Sequence, residues 1–121
     1  LAKSLGAKVT ILTVTERMPV YPGLEGVNDT VYADYSAGQR EAAGELLLAA
    51  KDAASRAGVP AESVLVESAP PAEAIIETAK ARNCDLIAMA SHGRRGVSRL
   101  VLGSVTSEVL AHSPVPVLVI R

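Results

Sequence analysis

The chain has 121 residues, which is enough for one domain with its own core and too few for two. The formal net charge is −1, from 12 Lys and Arg against 13 Asp and Glu, so no long-range attraction draws nucleic acid or an anionic membrane to it. Aromatic residues make up 2% of the chain and all are tyrosine, which excludes a platform of aromatic rings for stacking bases.

The few cysteines and histidines limit the redox and metal chemistry. Cys84 is the one cysteine, which excludes an internal disulfide and a multi-cysteine metal site and suits a reducing cytoplasm. His92 and His112 are too few for a His-rich metal centre. No apolar run is long enough to span a bilayer, and Leu1–Gly6 is too short and too mixed for a signal peptide. We therefore expect a cytoplasmic domain.

Helices and strands alternate in the first third of the chain. Leu1–Leu5 has the character of a helix end, and Gly6 stops it. Val9–Val14 is a β-branched, nearly continuous apolar run, which predicts a strand covered on both faces. Glu16–Asp34 contains prolines and glycines without periodicity and is predicted to be a long loop, a kind of segment that is usually functional in a compact domain.

A long helix and a short strand are predicted next. Ser36 and Gln39 form a capping-box pattern, which predicts that the helix begins there, and Gly58 and Pro60 end it. Ser63–Glu67 is the predicted strand. The apolar face of the helix recurs at a set of small and branched residues, Ala43, Leu46, Leu47, Ala50, Ala54 and Ala57.

The second half of the chain continues this alternation. Pro70 and Pro71 lead into a helix that closes near Arg82, and Asp85–Ala90 is a buried strand. A loop that contains glycines follows from Ser91 to about Arg99.

The chain then closes with one more helix and one more strand. Ser104 is predicted to cap the helix, which has His112 in its last turn, and Val115–Ile120 is the final strand. Pro116 has no N–H to donate, so this strand is expected at a sheet edge or with that position unpaired. Strict alternation of strand and helix predicts an α/β fold, a parallel sheet covered by helices on both faces.

A loop of small residues after a buried strand predicts a phosphate site. The strand ends at Ala90, the loop begins at Ser91, and a helix begins just after Gly103-Ser104. In open α/β sheets, ligands bind beyond the carboxyl ends of the strands. A helix N-terminus there offers free N–H groups and the positive end of its dipole to an anion. The pattern indicates that this region holds phosphate without a covalent step.

The same stretch resembles the C-terminal half of a universal stress protein. The resemblance is carried by Ala-Ser-His-Gly-Arg-Arg-Gly-Val-Ser-Arg-Leu-Val-Leu-Gly-Ser-Val-Thr-Ser-Glu-Val-Leu, residues 90–110, and by the closing Pro-Val-Pro-Val-Leu-Val-Ile. It covers nearly the whole chain, because the upstream order of elements also matches. Nucleotide-binding members of the family carry the motif G-x2-G-x9-G-[ST]. Gly93 and Gly103-Ser104 match its second and third parts, and Ala90 occupies the position of its first glycine.

The resemblance implies a site for ATP, either free or as its Mg2+ complex. By the resemblance, Val14 at the end of its strand contacts the adenine or the ribose. The implied phosphate loop consists of Ala90, Ser91, His92, Gly93 and Arg94, and it is completed by Gly103, Ser104, Val105 and Thr106.

The resemblance also implies an open, parallel, five-stranded sheet in the order 3-2-1-4-5 with helices on both faces. The family begins with a strand that carries an Asp near its end, followed by a helix, and this chain begins inside that helix. We therefore expect residues 1–121 to be a single universal stress protein-like domain that is N-terminally incomplete, with the first, central strand missing from the sequence.

The sequence argues against an enzyme. Ser91 and His92 are adjacent, but the nucleophile elbow G-x-S-x-G requires a glycine where Met89 stands. The acid and the histidine that follow, Glu108 and His112, lie only one helical turn apart. A nucleotide-utilising enzyme of related architecture remains an alternative, and it would place its phosphate loop after the first strand.

The resemblance thus implies a nucleotide-binding regulator of the stress response without efficient catalysis. It also implies a homodimer through the final strand, Val115–Ile120, whose unpaired N–H and C=O groups can pair with a second copy. The alternative function is a dimeric interaction module of the same family that binds no nucleotide. Ala90 favours this alternative, whereas Gly93 and Gly103-Ser104 favour the nucleotide.

Overall fold

The computed structural model of the chain describes residues 1–16, 29–91 and 102–121. These residues form four helices and four strands, which alternate as predicted. In chain order they are α1 (Ala2–Leu5), β1 (Val9–Val14), α2 (Asp29–Arg56), β2 (Ala61–Val66), α3 (Pro71–Ala81), β3 (Ile87–Ala90), α4 (Ser104–His112) and β4 (Val117–Ile120). Among the described residues, no helix is both long and apolar enough to cross a membrane.

The first of two compact units comprises Leu1–Ala69. In it β1 and β2 pair in parallel, from Val9 opposite Ala61 to Val14 opposite Val66. All six residues of β1 are partly buried, as expected for a β-branched run without an exposed face. Helix α2 packs on both strands through a face that includes the buried Ala43 and Leu47, four residues and about one turn apart.

Helix α2 begins earlier than the capping-box pattern predicts. The prediction of a loop up to Asp34 and a helix start at Ser36 is wrong, because the helix already includes Asp29. Residues 29–35 contain neither glycine nor proline, so nothing in them interrupts a helix. Asp29 also places a negative charge in the first turn, where it favours the helix dipole. Residues 17–28 of the predicted loop lie outside the described residues.

The second compact unit comprises Pro70–Arg121. Strands β3 and β4 pair in parallel, from Ile87 opposite Val117 to Ala90 opposite Ile120. Helices α3 and α4 pack against each other. Their contact and β3 enclose a core of buried residues, Ala72, Ala79, Ile87 and Val109.

Three details of the second unit differ from the predicted boundaries. Strand β3 begins at Ile87, not at Asp85. Gly103, not Ser104, is the N-cap of α4, and Ser104 is its first helical residue, without a side-chain capping bond. Strand β4 begins at Val117, after Pro116, whose carbonyl accepts a hydrogen bond from the Ile87 N–H at 3.0 Å. Pro116 therefore contributes its acceptor to the sheet, and its missing donor falls just outside the strand. The prediction that His112 lies in the last turn of α4 is confirmed.

The α/β fold with parallel strands and helices is confirmed. Each observed pair is compatible with the expected order 3-2-1-4-5, in which β1 and β2 would be strands 2 and 3, and β3 and β4 would be strands 4 and 5. The five-stranded order itself, the absent first strand and the single-domain organisation stay predictions.

Val109 is expected to contribute strongly to the stability of the second unit. This residue of α4 is 0% exposed and belongs to the buried core. We predict that Val109→Ala lowers the free energy of unfolding by about 2 kcal/mol, for two buried methyl groups and the cavity they leave. Urea denaturation followed by circular dichroism measures this loss.

Leu110→Ala is the matched control on the same helix. Leu110 is 43% exposed, so its truncation should cost about 1 kcal/mol or less. Equal losses for both variants would contradict the assignment of this core.

Candidate functional site

The end of β3 and the beginning of α4 are joined by two hydrogen bonds. The Gly103 N–H donates to the Ser91 carbonyl oxygen at 2.8 Å. The Thr106 hydroxyl donates to the Ala90 carbonyl oxygen, also at 2.8 Å. The structure thus brings together four residues of the predicted site, Ala90, Ser91, Gly103 and Thr106, although the bonded partners are 12 and 16 positions apart in sequence.

The sheet holds this junction from its other side. The Ser91 N–H donates to the Ile120 carbonyl oxygen at 2.8 Å, which extends the β3–β4 ladder by one bond beyond the last residue of β3. The strand end is therefore fixed by β4 on one side and by α4 on the other. Ligand-binding groups at this junction are therefore attached to two secondary-structure elements, which favours their accurate placement.

The backbone at Ala90 does not require a glycine. Among the described residues, the non-glycine positions with positive φ are Ser68 and Asn83, so Ala90 has an ordinary φ. Ala90 is also exposed, which leaves its methyl group outside the core. The difference between alanine and the motif's first glycine is therefore one of volume at the surface of the site and not one of backbone conformation.

Gly103 likewise has a φ that any residue can adopt. Its φ of −60° and ψ of 153° are extended values, typical of an N-cap residue. The backbone conformation therefore does not require glycine here, and a side chain on this N-cap residue would lie beside the first N–H groups of the helix. A larger residue would not strain the local backbone.

The first turn of α4 presents main-chain donors. The N–H groups of Ser104, Val105 and Thr106 precede the first bond of the helix, in which the Ser107 N–H donates to the Gly103 carbonyl at 3.0 Å. No side chain of the described residues caps this end. Ser104 is exposed and Val105 partly exposed, so an anion in solution has access to this turn. Donors and dipole together fit a phosphate group.

Thr106 plays a different part from the one that the motif suggests. Its side chain is 2% exposed, and its hydroxyl proton is already donated to the Ala90 carbonyl. A hydroxyl has one proton to donate. The donor that Thr106 offers to an external anion is therefore its main-chain N–H.

Four predicted residues, Val14, His92, Gly93 and Arg94, do not belong to the described part of this junction. Val14 is the last residue of β1 in the first unit and is partly buried, and its contact with adenine or ribose stays a prediction. His92, Gly93 and Arg94 lie outside the described residues.

A polar pocket in the first unit was not predicted. It lies where β1 and β2 end, has a volume of about 70 Å³, and is lined by Thr15, Glu16, Tyr35, Ser36, Gln39, Arg40, Glu67 and Ser68. The Ser68 N–H donates to the Thr15 hydroxyl at 2.9 Å, and the Arg40 guanidinium donates to the Glu67 carboxylate at 2.5 Å. The lining is polar and carries opposite charges on Arg40 and Glu67, which pair with each other. Polar residues directly after two neighbouring parallel strands were the signal that could have found it.

The comparisons with known proteins indicate a single protein family. The model of the universal stress protein family matches residues 1–121. A universal stress protein of Thermus aquaticus is 31% identical over 120 residues, which cover 99% of this chain and 82% of that protein.

Two solved structures agree with this match. The hypothetical protein MJ0577 superposes with a TM-score of 0.80 at 26% identity, over 94% of this chain and 75% of that one. A universal stress protein crystallised in complex with cAMP superposes with a TM-score of 0.63 at 25% identity, over 99% and 78% of the two chains. On the family match over its whole length, supported by these relatives, the chain belongs to the universal stress protein family.

Proposed function

We propose that this protein binds an adenine nucleotide, ATP in the first place, either free or as its Mg2+ complex, and acts as a cytoplasmic regulator of the stress response. The observation that carries the proposal is the first turn of α4, whose main-chain donors are held against the end of β3 by the Gly103 and Thr106 hydrogen bonds. The universal stress protein crystallised with cAMP supports an adenine nucleotide as the class of ligand.

The phosphate groups are proposed to lie at the first turn of α4. Three N–H groups, of Ser104, Val105 and Thr106, point out of the helix end, and the exposed Ser104 hydroxyl adds a further donor. The helix has nine residues, enough for a dipole that favours negative charge at this end. Each of these donors is a neutral group, so the described part of the site is proposed to attract phosphate through hydrogen bonds and the helix dipole.

Regulation by occupancy, and not turnover, is the second part of the proposal. The described residues of the site, Ala90, Ser91 and 103–106, carry hydroxyl groups but no carboxylate, imidazole or thiol. Activation of a water molecule for attack on phosphate requires such a general base within hydrogen-bond reach. We propose that hydrolysis of ATP is slow, on the described residues of the site; His92, the imidazole of the predicted phosphate loop, lies outside them. Rapid, efficient turnover by the purified protein would contradict this part.

The proposed nucleotide site predicts that a larger side chain at position 103 weakens nucleotide binding. Isothermal titration of the protein with ATP, with and without Mg2+, and with cAMP should show binding, and Gly103→Val should weaken it by at least about tenfold. Valine is compatible with the φ of −60° at this position, so a loss reports a side chain in front of the helix donors and not a strained backbone.

Gly44→Ala is the matched control for this titration. Gly44 lies inside α2, and a methyl group there meets nothing within 4 Å. The control should keep the nucleotide affinity and gain about 0.5–1 kcal/mol in stability. A folded wild-type protein that binds none of the nucleotides, or a Gly103→Val variant that binds them as well as the wild type does, would reject the proposed site.

The methyl group of Ala90 is predicted to weaken binding without preventing it. Because Ala90 has an ordinary φ and an exposed side chain, Ala90→Gly should leave the fold intact and strengthen ATP binding by roughly fivefold, equivalent to about 1 kcal/mol. The same titration measures the change, and thermal unfolding checks that stability falls by no more than about 1 kcal/mol. Unchanged affinity would show that this methyl group does not face the nucleotide.

A second function, a dimeric interaction module, is favoured by the free side of β4. The carbonyl groups of Pro116 and Ile120 accept hydrogen bonds from β3, so the even-numbered residues of this strand direct their main-chain groups to β3. The main-chain groups of Val117 and Val119 point to the opposite side, where the described residues provide no further strand. Ile120 is also 53% exposed. We propose a homodimer formed by pairing along this edge, which is compatible with nucleotide binding.

Removal of one edge donor tests the dimer. Val119→Pro deletes an N–H that β3 does not use, so it should keep the fold and shift the dimer to monomer, with a Kd at least about tenfold higher. Val119→Ala keeps the N–H and should stay dimeric. Light scattering coupled to size-exclusion chromatography gives the mass of each variant. A wild-type monomer at high concentration would reject the dimer.

A further inference from the structure

We propose that Thr106 is a positioning residue whose side chain fixes the first turn of α4 to the end of β3 and contacts no ligand. The motif places Thr106 among the nucleotide-binding residues, whereas its surroundings assign its hydroxyl to the protein itself. The inference about the joint, meaning the hydrogen-bonded contact between the end of β3 and the first turn of α4, does not depend on the proposed function. Only its consequence for nucleotide affinity rests on that function.

The burial and the hydrogen bond of Thr106 carry the first step. The side chain is 2% exposed, and the hydroxyl lies 2.8 Å from the Ala90 carbonyl oxygen. A partly buried carbonyl without a partner is costly, and a hydroxyl that donates to it cannot donate elsewhere at the same time. An external phosphate would therefore have to break an existing bond to use this proton.

The geometry of the β3 ladder shows why Ala90 needs this partner. The N–H groups of Ile87 and Ser91 donate to β4, so the odd-numbered residues of β3 direct their main-chain groups to β4. The carbonyl of Ala90 therefore faces the other side of β3. There the Thr106 hydroxyl supplies the donor that β4 cannot supply.

Thr106 acts on the same joint as the Gly103 N–H. Gly103 bonds to Ser91, and Thr106, three residues and nearly one helical turn later, bonds to the preceding residue, Ala90. The two bonds thus attach successive carbonyls of the strand end to both ends of the first helical turn. Loss of the Thr106 bond leaves the Gly103 bond alone of these two, and the N–H groups of the first turn lose their fixed direction.

Threonine combines two properties that serve this role. Its β-branched side chain has few χ1 rotamers and fills a buried position like valine, and its hydroxyl supplies the bond to Ala90. Thr106→Val keeps the shape and removes the donor. Thr106→Ser keeps the donor and removes the methyl group. The two variants therefore separate the hydrogen bond from the packing.

Hydrogen exchange of the ligand-free protein tests the positioning role directly. The amide of Gly103 reports the joint, and the amide of Arg82, which donates to the Thr78 carbonyl at the end of α3, reports the stability of the rest of the unit. In Thr106→Val, exchange at Gly103 should accelerate roughly 5- to 100-fold relative to Arg82, the range expected for an unpaired carbonyl. Thr106→Ser should restore the protection of Gly103 to within about threefold of the wild type.

The affinity for ATP, measured on the same variants, supplies the second readout. It should fall about tenfold in Thr106→Val and recover in Thr106→Ser, because only the direction of the helix donors has changed. If the wild type binds no nucleotide, the proposed function fails while the exchange data still decide the role of Thr106.

Two results would overturn the inference. One is an unchanged ratio of Gly103 to Arg82 exchange in Thr106→Val, with or without a loss of affinity, since a residue that only contacts ligand leaves the ligand-free joint intact. The other is a failure of Thr106→Ser to restore the protection of Gly103. Should Thr106→Val not fold, Thr106→Ser and Thr106→Ala differ only in the hydroxyl oxygen, and the same ratio compared between them decides the question.

Discussion

The hydrogen bond from the Thr106 hydroxyl to the Ala90 carbonyl is the interaction on which the candidate site depends. It joins a strand to a helix that follows 14 positions later, counted from Ala90 to Ser104, and fixes where the free donors of α4 lie. The described hydrogen bonds between β3 and β4 do not do this, because they use the other side of β3. A buried hydroxyl that satisfies a main-chain carbonyl is stable only if its position is well defined, so the bond also restricts the helix start to one arrangement.

A buried threonine has a comparable task in the first unit. Thr15 and Thr106 are the buried polar residues of the described chain, at 6% and 2% exposure, and each lies where a strand ends or meets a helix. The Thr15 hydroxyl accepts the Ser68 N–H, and Ser68 has a φ of 52°, a left-handed conformation that costs a serine about 1 kcal/mol. The bond from Thr15 offsets part of that cost. In both units a threonine hydroxyl thus adds a hydrogen bond at the carboxyl end of a strand, beside the main-chain bonds that extend the ladder there.

The sequence predicted the elements better than their junctions. Periodic apolar patterns located the strands and helices, because burial acts on every second or every third to fourth residue and leaves a repeated signal. The start of α2 was missed, since the pattern at Ser36 and Gln39 is local and says nothing about whether the preceding residues also favour a helix. Thr106 was identified through a motif, but its partner could not be, because a bond to a carbonyl sixteen residues away has no signature in sequence. Thr15 was missed for the same reason.

The backbone conformation of Ala90 shows what the replacement of the motif's first glycine by alanine can affect. A glycine in a motif serves either a conformation that other residues avoid or a close approach by a ligand. The first use does not apply, because Ala90 belongs to β3 and has an ordinary φ. Thr106 bonds to the main-chain carbonyl of Ala90, so the added methyl group does not alter the joint either. The remaining difference between alanine and glycine at this position is the space that one exposed methyl group occupies. Such a group changes an affinity in proportion to its contact with the ligand, and it leaves the donors of α4 in place. Under the proposed function, substitution at Ala90 is therefore expected to change the affinity alone, whereas loss of the Thr106 hydroxyl is expected to release the first turn of α4 from the end of β3.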